Sequence, residues 1–157
     1  MLSDPPGVAF LLASVGAQAA ALFTERIAAL DLTPPQTGLL RAVAASPGRS
    51  QQALAQMLGI APSRLVGVVD ELADRGLVER RRNPTDRRLY ALHPTDAGRA
   101  MLGRIAEQGR AHDDALCAGL DADERATLRA LLARIAEKQG LTPGVHPGLQ
   151  RDGKECE

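Results

Sequence analysis

The stretch LGIAPSRLVGVVDELADRGLVERRRNPTDRRLYALHPTDAG, residues 58–98, decides the fold. Gly59 ends a short helix that starts at Gln51, and Pro62 opens an amphipathic helix with apolar residues at i, i+3, i+4 and i+7. Two short apolar segments, 77–78 and 89–92, follow as predicted strands. Two helices joined by a tight turn and followed by a two-stranded ribbon predict a winged helix-turn-helix.

Positive charge is concentrated in the predicted ribbon. The segment ERRRNPTDRR, residues 79–88, holds five arginines, although the 157-residue chain is neutral overall. Residues 1–48 and 89–157 have net charges of −1 and −2, whereas residues 49–88 have a net charge of +3. A run of charge is commonly a solvated loop. Beside a helix that fits the major groove, however, arginines on a hairpin favour contact with the narrow, negative minor groove.

Apolar residues at helical spacing predict further helices on both sides of this module. One covers residues 6–29, and the next begins at Thr33-Pro34 and ends before Ser46. Ser50 is a predicted cap for the helix that starts at Gln51. After the ribbon, Thr95 opens a helix to about Gly119, and Asp121 caps a last helix to about Gln139. The predicted fold is mainly α, with six helices and a short β-hairpin wing.

Several classes of protein are excluded by what the sequence lacks. It has no Gly-rich phosphate loop, nucleophile elbow or paired-carboxylate motif, so we expect no enzyme and no cofactor. Its two cysteines and three histidines are scattered, so we expect no disulfide framework and no metal site. No apolar run in the sequence is expected to approach membrane-spanning length, which predicts a cytoplasmic protein with no membrane partner.

The quoted stretch resembles the MarR family of bacterial regulators. The matching motifs are Leu72 to Arg80, then Asp86-Arg87-Arg88, then Thr95-Asp96-Ala97-Gly98. The resemblance implies a homodimer in which the first, fifth and sixth helices of both chains interlock. It also implies that two winged modules bind the half-sites of a palindromic operator in double-stranded DNA. The implied function is sequence-specific transcriptional regulation by a repressor that a small-molecule ligand releases.

The chain is predicted to form one unit over residues 1–139, and the prolines and glycines that follow predict a flexible tail at 140–157. Within the unit, the winged helix-turn-helix covers about 34–93. The terminal helices, at about 6–30, 95–119 and 121–139, form the dimerisation region.

The predicted DNA contacts lie on three elements. Ser63 and Arg64 begin the recognition helix and are the best candidates to contact bases or phosphates, although Ser63 is also a possible cap. Glutamines at the start of the preceding helix suit a phosphate. In the wing, the family pattern implies that Asp86 pairs with one arginine while another enters the minor groove. The full set is Gln51, Gln52, Pro62, Ser63, Arg64, Val66, Gly67, Arg80, Arg82, Asp86, Arg87 and Arg88.

A ligand site and two alternative functions complete the interpretation. Many relatives bind small aromatic acids between the dimer helices and the winged module, so Phe10, Phe23 and Arg26 are candidates for binding a small aromatic or anionic effector. Ordinary core and surface roles are the alternative for each. The alternative functions are a winged-helix module that binds protein, against which the positive wing argues, and a thiol-based redox-sensing regulator that uses Cys117. The alternative for Cys117 is that it is a small buried apolar residue with no redox function.

Overall fold

The computed structural model describes residues 5–83 and 90–142, which form six helices and one two-stranded antiparallel sheet. This confirms the predicted fold class. The helices and strands are α1 Val8–Ala28, α2 Pro34–Ala45, α3 Gln51–Leu58, α4 Pro62–Asp74, β1 Val78–Arg82, β2 Tyr90–Pro94, α5 Asp96–Leu116 and α6 Ala122–Lys138.

Polar side chains cap four of the helices, at the residues that the sequence predicted. Ser50 Oγ accepts from the amide of Ala53 at 3.1 Å, and Thr95 Oγ1 accepts from that of Gly98 at 3.0 Å. Thr33 and Asp121 each form a reciprocal capping box. Each cap satisfies backbone N–H groups that the first helical turn leaves unpaired. The sequence therefore fixes where α2, α3, α5 and α6 begin.

The wing is more extensively paired than predicted. β1 and β2 pair from Val78 opposite Pro94 to Arg82 opposite Tyr90, so the three consecutive arginines of the segment lie within β1. The segment before α3 pairs with the other edge of β2: Leu92 accepts from the amide of Gly48 and donates to the carbonyl of Arg49, both at 2.9 Å. This additional pairing joins the wing to the start of α3. It covers too few residues to produce an alternating apolar pattern in the sequence, so it was not predicted.

The core lies beneath the helix-turn-helix. Apolar side chains from α2, α3, α4 and β2 are fully buried there, and one residue each from α1 and α5 joins them. These residues are Ile27, Leu39, Leu40, Val43, Leu54, Leu65, Val69, Leu72, Leu92 and Ile105. Because one face of α4 packs into this core, its opposite face is turned outward.

α1 and α6 expose apolar faces. Val8, Phe10 and Val15 on α1 are 69%, 65% and 52% exposed, and no residue of α6 is buried. Leucines of both helices line a cleft of about 500 Å³ that also includes Cys117. Cys117 is half-buried at the C-cap of α5. The single chain thus leaves apolar surface on its terminal helices uncovered.

The expectation about membrane-spanning length is wrong for α1. An 18-residue window of this helix has a mean hydropathy of 1.5, and by length and composition alone it could cross a membrane. Residues such as Ser14, Gly16 and Gln18 interrupt the apolar pattern, but they carry no charge and leave the mean hydropathy high. The buried core helix of a soluble protein passes the same test, but no part of this window is buried within the chain.

Candidate nucleic-acid interface

One side of α4 faces outward at its N-terminal end. Pro62, Ser63, Val66 and Gly67 are exposed, and Arg64 is half-buried. On the inner side, Leu65, Val69 and Leu72 are buried in the core. Val66 is 43% exposed, which leaves an apolar group suited to a thymine methyl. The structure therefore brings together all five α4 residues that were predicted to contact DNA.

The N-terminus of α4 has no side-chain cap. Its N-cap is Ala61, which makes no capping hydrogen bond, and Pro62 occupies the first helical position. Ser63 is therefore exposed at the second position and is not the N-cap residue. A helix N-terminus carries partial positive charge and free N–H groups, which favour an anion such as a phosphate. Gln52 is likewise exposed near the N-terminus of α3.

A cluster of Gln51, Asp70 and Arg80 joins the base of the wing to both helices of the motif. Arg80 Nε donates to Gln51 Oε1 at 2.8 Å, and Arg80 Nη2 donates to Asp70 Oδ1. The sequence predicted Gln51 and Arg80 as separate DNA contacts and linked neither of them to Asp70. The structure shows that the three side chains link α3, α4 and β1 through hydrogen bonds within the chain.

The other charged residues of the wing differ in their surroundings. Arg81 Nε donates to Glu79 Oε1 at 3.0 Å, so Arg81 is paired with a carboxylate of its own strand. Arg82 is exposed at the end of β1. The remaining predicted wing residues, Asp86, Arg87 and Arg88, lie outside the described residues.

The predicted effector residues do not form one site within the chain. Phe10 lies 13 residues before Phe23 on α1, about 20 Å along the helix. Phe23 contacts His112 of α5, with ring centroids 5.7 Å apart, and Arg26 is one turn further on. His112 Nδ1 and Thr37 Oγ1 are buried without a hydrogen-bond partner among the described residues. Phe23 and Arg26 are therefore neighbours, and Phe10 is separate.

Comparison with known proteins places this geometry in a family. A sequence model described as the MarR family matches residues 30–89. The chain is 40% identical over 112 residues to a protein of Thauera aromatica named for transcriptional regulation of the hcr operon. That match covers 71% of this chain and 68% of the relative. The chain belongs to the MarR family.

Solved structures of MarR-family proteins share the fold over most of the chain. The repressor CouR bound to a 23-mer DNA duplex is 37% identical, with a TM-score of 0.74, over 83% of this chain and 92% of CouR. A MarR family protein of Mycobacterium tuberculosis in complex with salicylic acid is 29% identical, with a TM-score of 0.67, over 85% of this chain and 99% of the relative. The present MarR-family chain is a DNA-binding transcriptional regulator and not an enzyme.

Two of the polar contacts that the sequence did not predict lie at Asp70 of α4 and at the C-cap of this helix. The contact of Asp70 was not predicted, although Arg80 follows it by ten residues across a tight turn and the charges are opposite. Arg75, the C-cap residue of α4, was not singled out, because nothing in the local sequence shows that its partners are backbone carbonyls at the end of α1. A search for opposite charges on adjacent elements would have found the first contact, but no sequence signal points to the second.

Proposed function

We propose that this MarR-family regulator is a cytoplasmic homodimeric repressor that binds a palindromic operator. In each chain α4 enters the major groove and the wing reaches the adjacent minor groove. The observation that carries the proposal is the exposed N-terminal face of α4, together with the exposed Arg82 at the end of β1. Its DNA contacts are Gln52, the five exposed or half-buried residues of α4, Arg82, and the wing residues Asp86, Arg87 and Arg88.

Gln51 and Arg80 have a different part in this proposal. Both are already engaged with each other, and Arg80 is also paired with Asp70. Their side chains set the angle of the wing relative to α4, and any phosphate contact that they make is additional to this internal bonding. The network leaves Arg82 and the two arginines beyond it to supply the positive charge at the DNA backbone.

The uncovered apolar faces support the dimer. α1 and α6 present their leucines around a cleft of about 500 Å³, and no residue of α6 is buried within the chain. Contiguous exposed apolar side chains of this kind are typical of an interaction site in a soluble protein. A second copy, with its own α1, α5 and α6, supplies a matching apolar surface and places two recognition helices on one two-fold axis.

The proposed effector is a small aromatic acid. Phe23 and His112 provide aromatic surface between α1 and α5, and Arg26 provides a positive charge one helical turn away. The mycobacterial relative is in complex with salicylic acid, which belongs to this chemical class. Adding salicylate to the protein–DNA complex should release the DNA. Unchanged binding at millimolar salicylate would contradict this effector class.

The experiment that tests DNA recognition starts by enriching a duplex from a random-sequence pool with the parent protein. Arg64→Ala should then lose about 1–3 kcal/mol of discrimination between the enriched duplex and random DNA, the value of one good base contact. The control is Arg99→Ala, which removes the same charge from an exposed arginine paired within α5. Enrichment of no sequence by the parent would refute sequence-specific recognition, and equal loss on both DNAs would make Arg64 a phosphate contact.

A further inference from the structure

The C-terminal end of α4 is tied to the end of α1 by one arginine. Arg75, the first residue after α4, donates through Nη1 to the carbonyl oxygen of Asp31 and through Nη2 to that of Leu30 at 3.4 Å. Charged donors form stronger hydrogen bonds to carbonyls than neutral donors do. The guanidinium therefore holds two consecutive carbonyl groups of the turn that follows α1.

The turn that receives Arg75 has an unusual backbone. Asp31 has a φ of 55°, the only positive φ at a non-glycine position among residues 5–83 and 90–142. A left-handed residue commonly ends a helix, and glycine is the usual choice because a side chain is disfavoured there. Asp31 adopts this left-handed conformation although it has a side chain. The amides of Leu30 and Leu32 both donate to the carbonyl of Ile27. The end of α1 is thus a defined structure to which Arg75 attaches.

A second contact reinforces the first on the same end of α4. Gln36 Nε2 donates to Glu71 Oε2 at 2.7 Å, one turn before Arg75. Gln36 is only 8% exposed, and its Oε1 accepts from the amide of Thr33 at 2.9 Å in the capping box of α2. Through Glu71 and Arg75, which we call the α4 anchor, the recognition helix is fixed to the corner between α1 and α2.

The α4 anchor lies at the end of α4 that is far from the proposed DNA contacts, so a small change of angle at the anchor displaces the DNA-contacting end. α4 packs on α2, α3 and β1, whereas α1 packs on α2 and α5. Ser63 and Arg64, the best candidates to contact bases, lie at the other end of α4, and we call them the reading residues. Ser63 is twelve residues before Arg75, about 18 Å away along the helix. A rotation of about 10° at the anchored end would displace the reading end by roughly 3 Å, which is close to the rise of one base pair.

We propose that Arg75 is a positioning residue that sets the distance between the two recognition helices of the dimer. It fixes the angle of α4 relative to α1, and α1 belongs to the dimer interface in the proposed function on which this inference rests. Arg75 acts through α4 and not on DNA, since it lies at the end of the helix opposite the reading residues. The operator spacing that the protein accepts therefore depends on a contact between protein groups.

The test compares Arg75→Ala with the parent on the enriched duplex and on versions with one base pair inserted or removed between the half-sites. Arg75→Ala should lose about tenfold in affinity at the original spacing, the effect of one charged hydrogen bond. It should lose much less at the altered spacings, so that its spacing profile is flatter. Affinity for a duplex with a single half-site should be unchanged, because reading by one module needs no fixed distance.

Two further variants make the result decisive. Arg75→Lys keeps the positive charge but cannot span two carbonyls with a fork of donors, so it should also give a flattened profile. Arg99→Ala removes a charge without touching the anchor and should keep the parent profile. Parent-like spacing profiles for both Arg75 variants, or an equal loss at every spacing and on the half-site, would overturn the proposal. Failure of the parent to enrich any DNA would refute the proposed function itself, before Arg75 is tested.

Discussion

Gly98 shows how a single position secures the junction between the wing and α5. A Cβ atom built on it would lie 2.0 Å from the carbonyl oxygen of Leu77 and 3.1 Å from its carbonyl carbon. The backbone of α5 therefore passes directly over the turn between α4 and β1. Thr95 strengthens the same crossing, because its amide donates to the Leu77 carbonyl at 3.2 Å and its hydroxyl to that of Gly76 at 2.6 Å.

Replacing Gly98 should therefore destabilise the protein. Gly98→Ala should lower the free energy of unfolding by about 3 kcal/mol, since the obstacle is backbone that cannot move aside cheaply. Gly103→Ala is the matched control on the same helix, where an added Cβ meets nothing within 4 Å. It should be neutral or stabilise by up to about 1 kcal/mol. Urea denaturation of both variants measures the difference, and equal stabilities would show that the close approach is absent.

For individual residues, the sequence predicted which positions cap a helix or face outward better than it predicted which residues contact one another. The Thr-x-x-Gly step was visible as a motif, but the reason for the glycine, a carbonyl two elements away, was not. The exposed face of α4 followed from its helical period, because buried and exposed residues alternate predictably on one helix. Contacts between elements, such as Arg80 with Asp70, depend on how the elements cross, and period alone does not give this.

Among the elements, the starts of the helices could be predicted from the sequence, but only part of the strand pairing in the wing could. Thr33, Ser50, Thr95 and Asp121 are strong capping residues in front of apolar periods, so the structure confirms four helix starts. The pairing of Gly48 and Arg49 with β2 was missed. It consists of too few residues to produce an alternating pattern, and it joins segments more than 40 residues apart.

The wing is expected to bind DNA through charge and groove shape. Arg87→Ala combined with Arg88→Ala should weaken binding to all DNA sequences, because such contacts carry little base information. The slope of log K against log salt concentration should decrease in magnitude by up to about 2. Titrations at several salt concentrations measure it. Arg41→Ala with Arg99→Ala, two exposed arginines outside the wing that do not line the α1/α6 cleft, is the control for the loss of two charges. An unchanged slope in the wing variant would place the wing away from DNA.

For the whole molecule, the decisive prediction is that two chains form a dimer through α1 and α6. Leu128 and Leu132 lie one turn apart on α6, are 37% and 39% exposed, and line the cleft with α1. Replacing both with Asp would place charges in the proposed dimer interface, which is strongly unfavourable. The variant should sediment as a monomer or unfold, and it should lose operator binding although its DNA-facing residues are intact.

The control for this experiment uses the opposite side of the same helix. Ala126 and Ala130 are exposed and also one turn apart, but they do not line the cleft. Ala126→Asp with Ala130→Asp should remain dimeric and bind DNA like the parent. A folded monomer of the leucine variant that still binds the full palindrome with parental affinity would exclude the dimer. Sequence reasoning located these apolar rows, but the cleft between them became apparent only when the helices were placed together.

The apolar surface of α1 has a consequence for the synthesis of the protein. The ribosome makes α1 before the helices that line the cleft with it, and about 110 residues separate the end of α1 from the end of α6. At roughly 5–20 residues per second, α1 emerges roughly 5–20 s before that cleft is complete. During this interval a nascent helix of membrane-like hydropathy is available to chaperones and targeting factors. We therefore expect the yield of functional regulator to depend on how the cell handles its nascent chain as well as on the stability of the finished dimer.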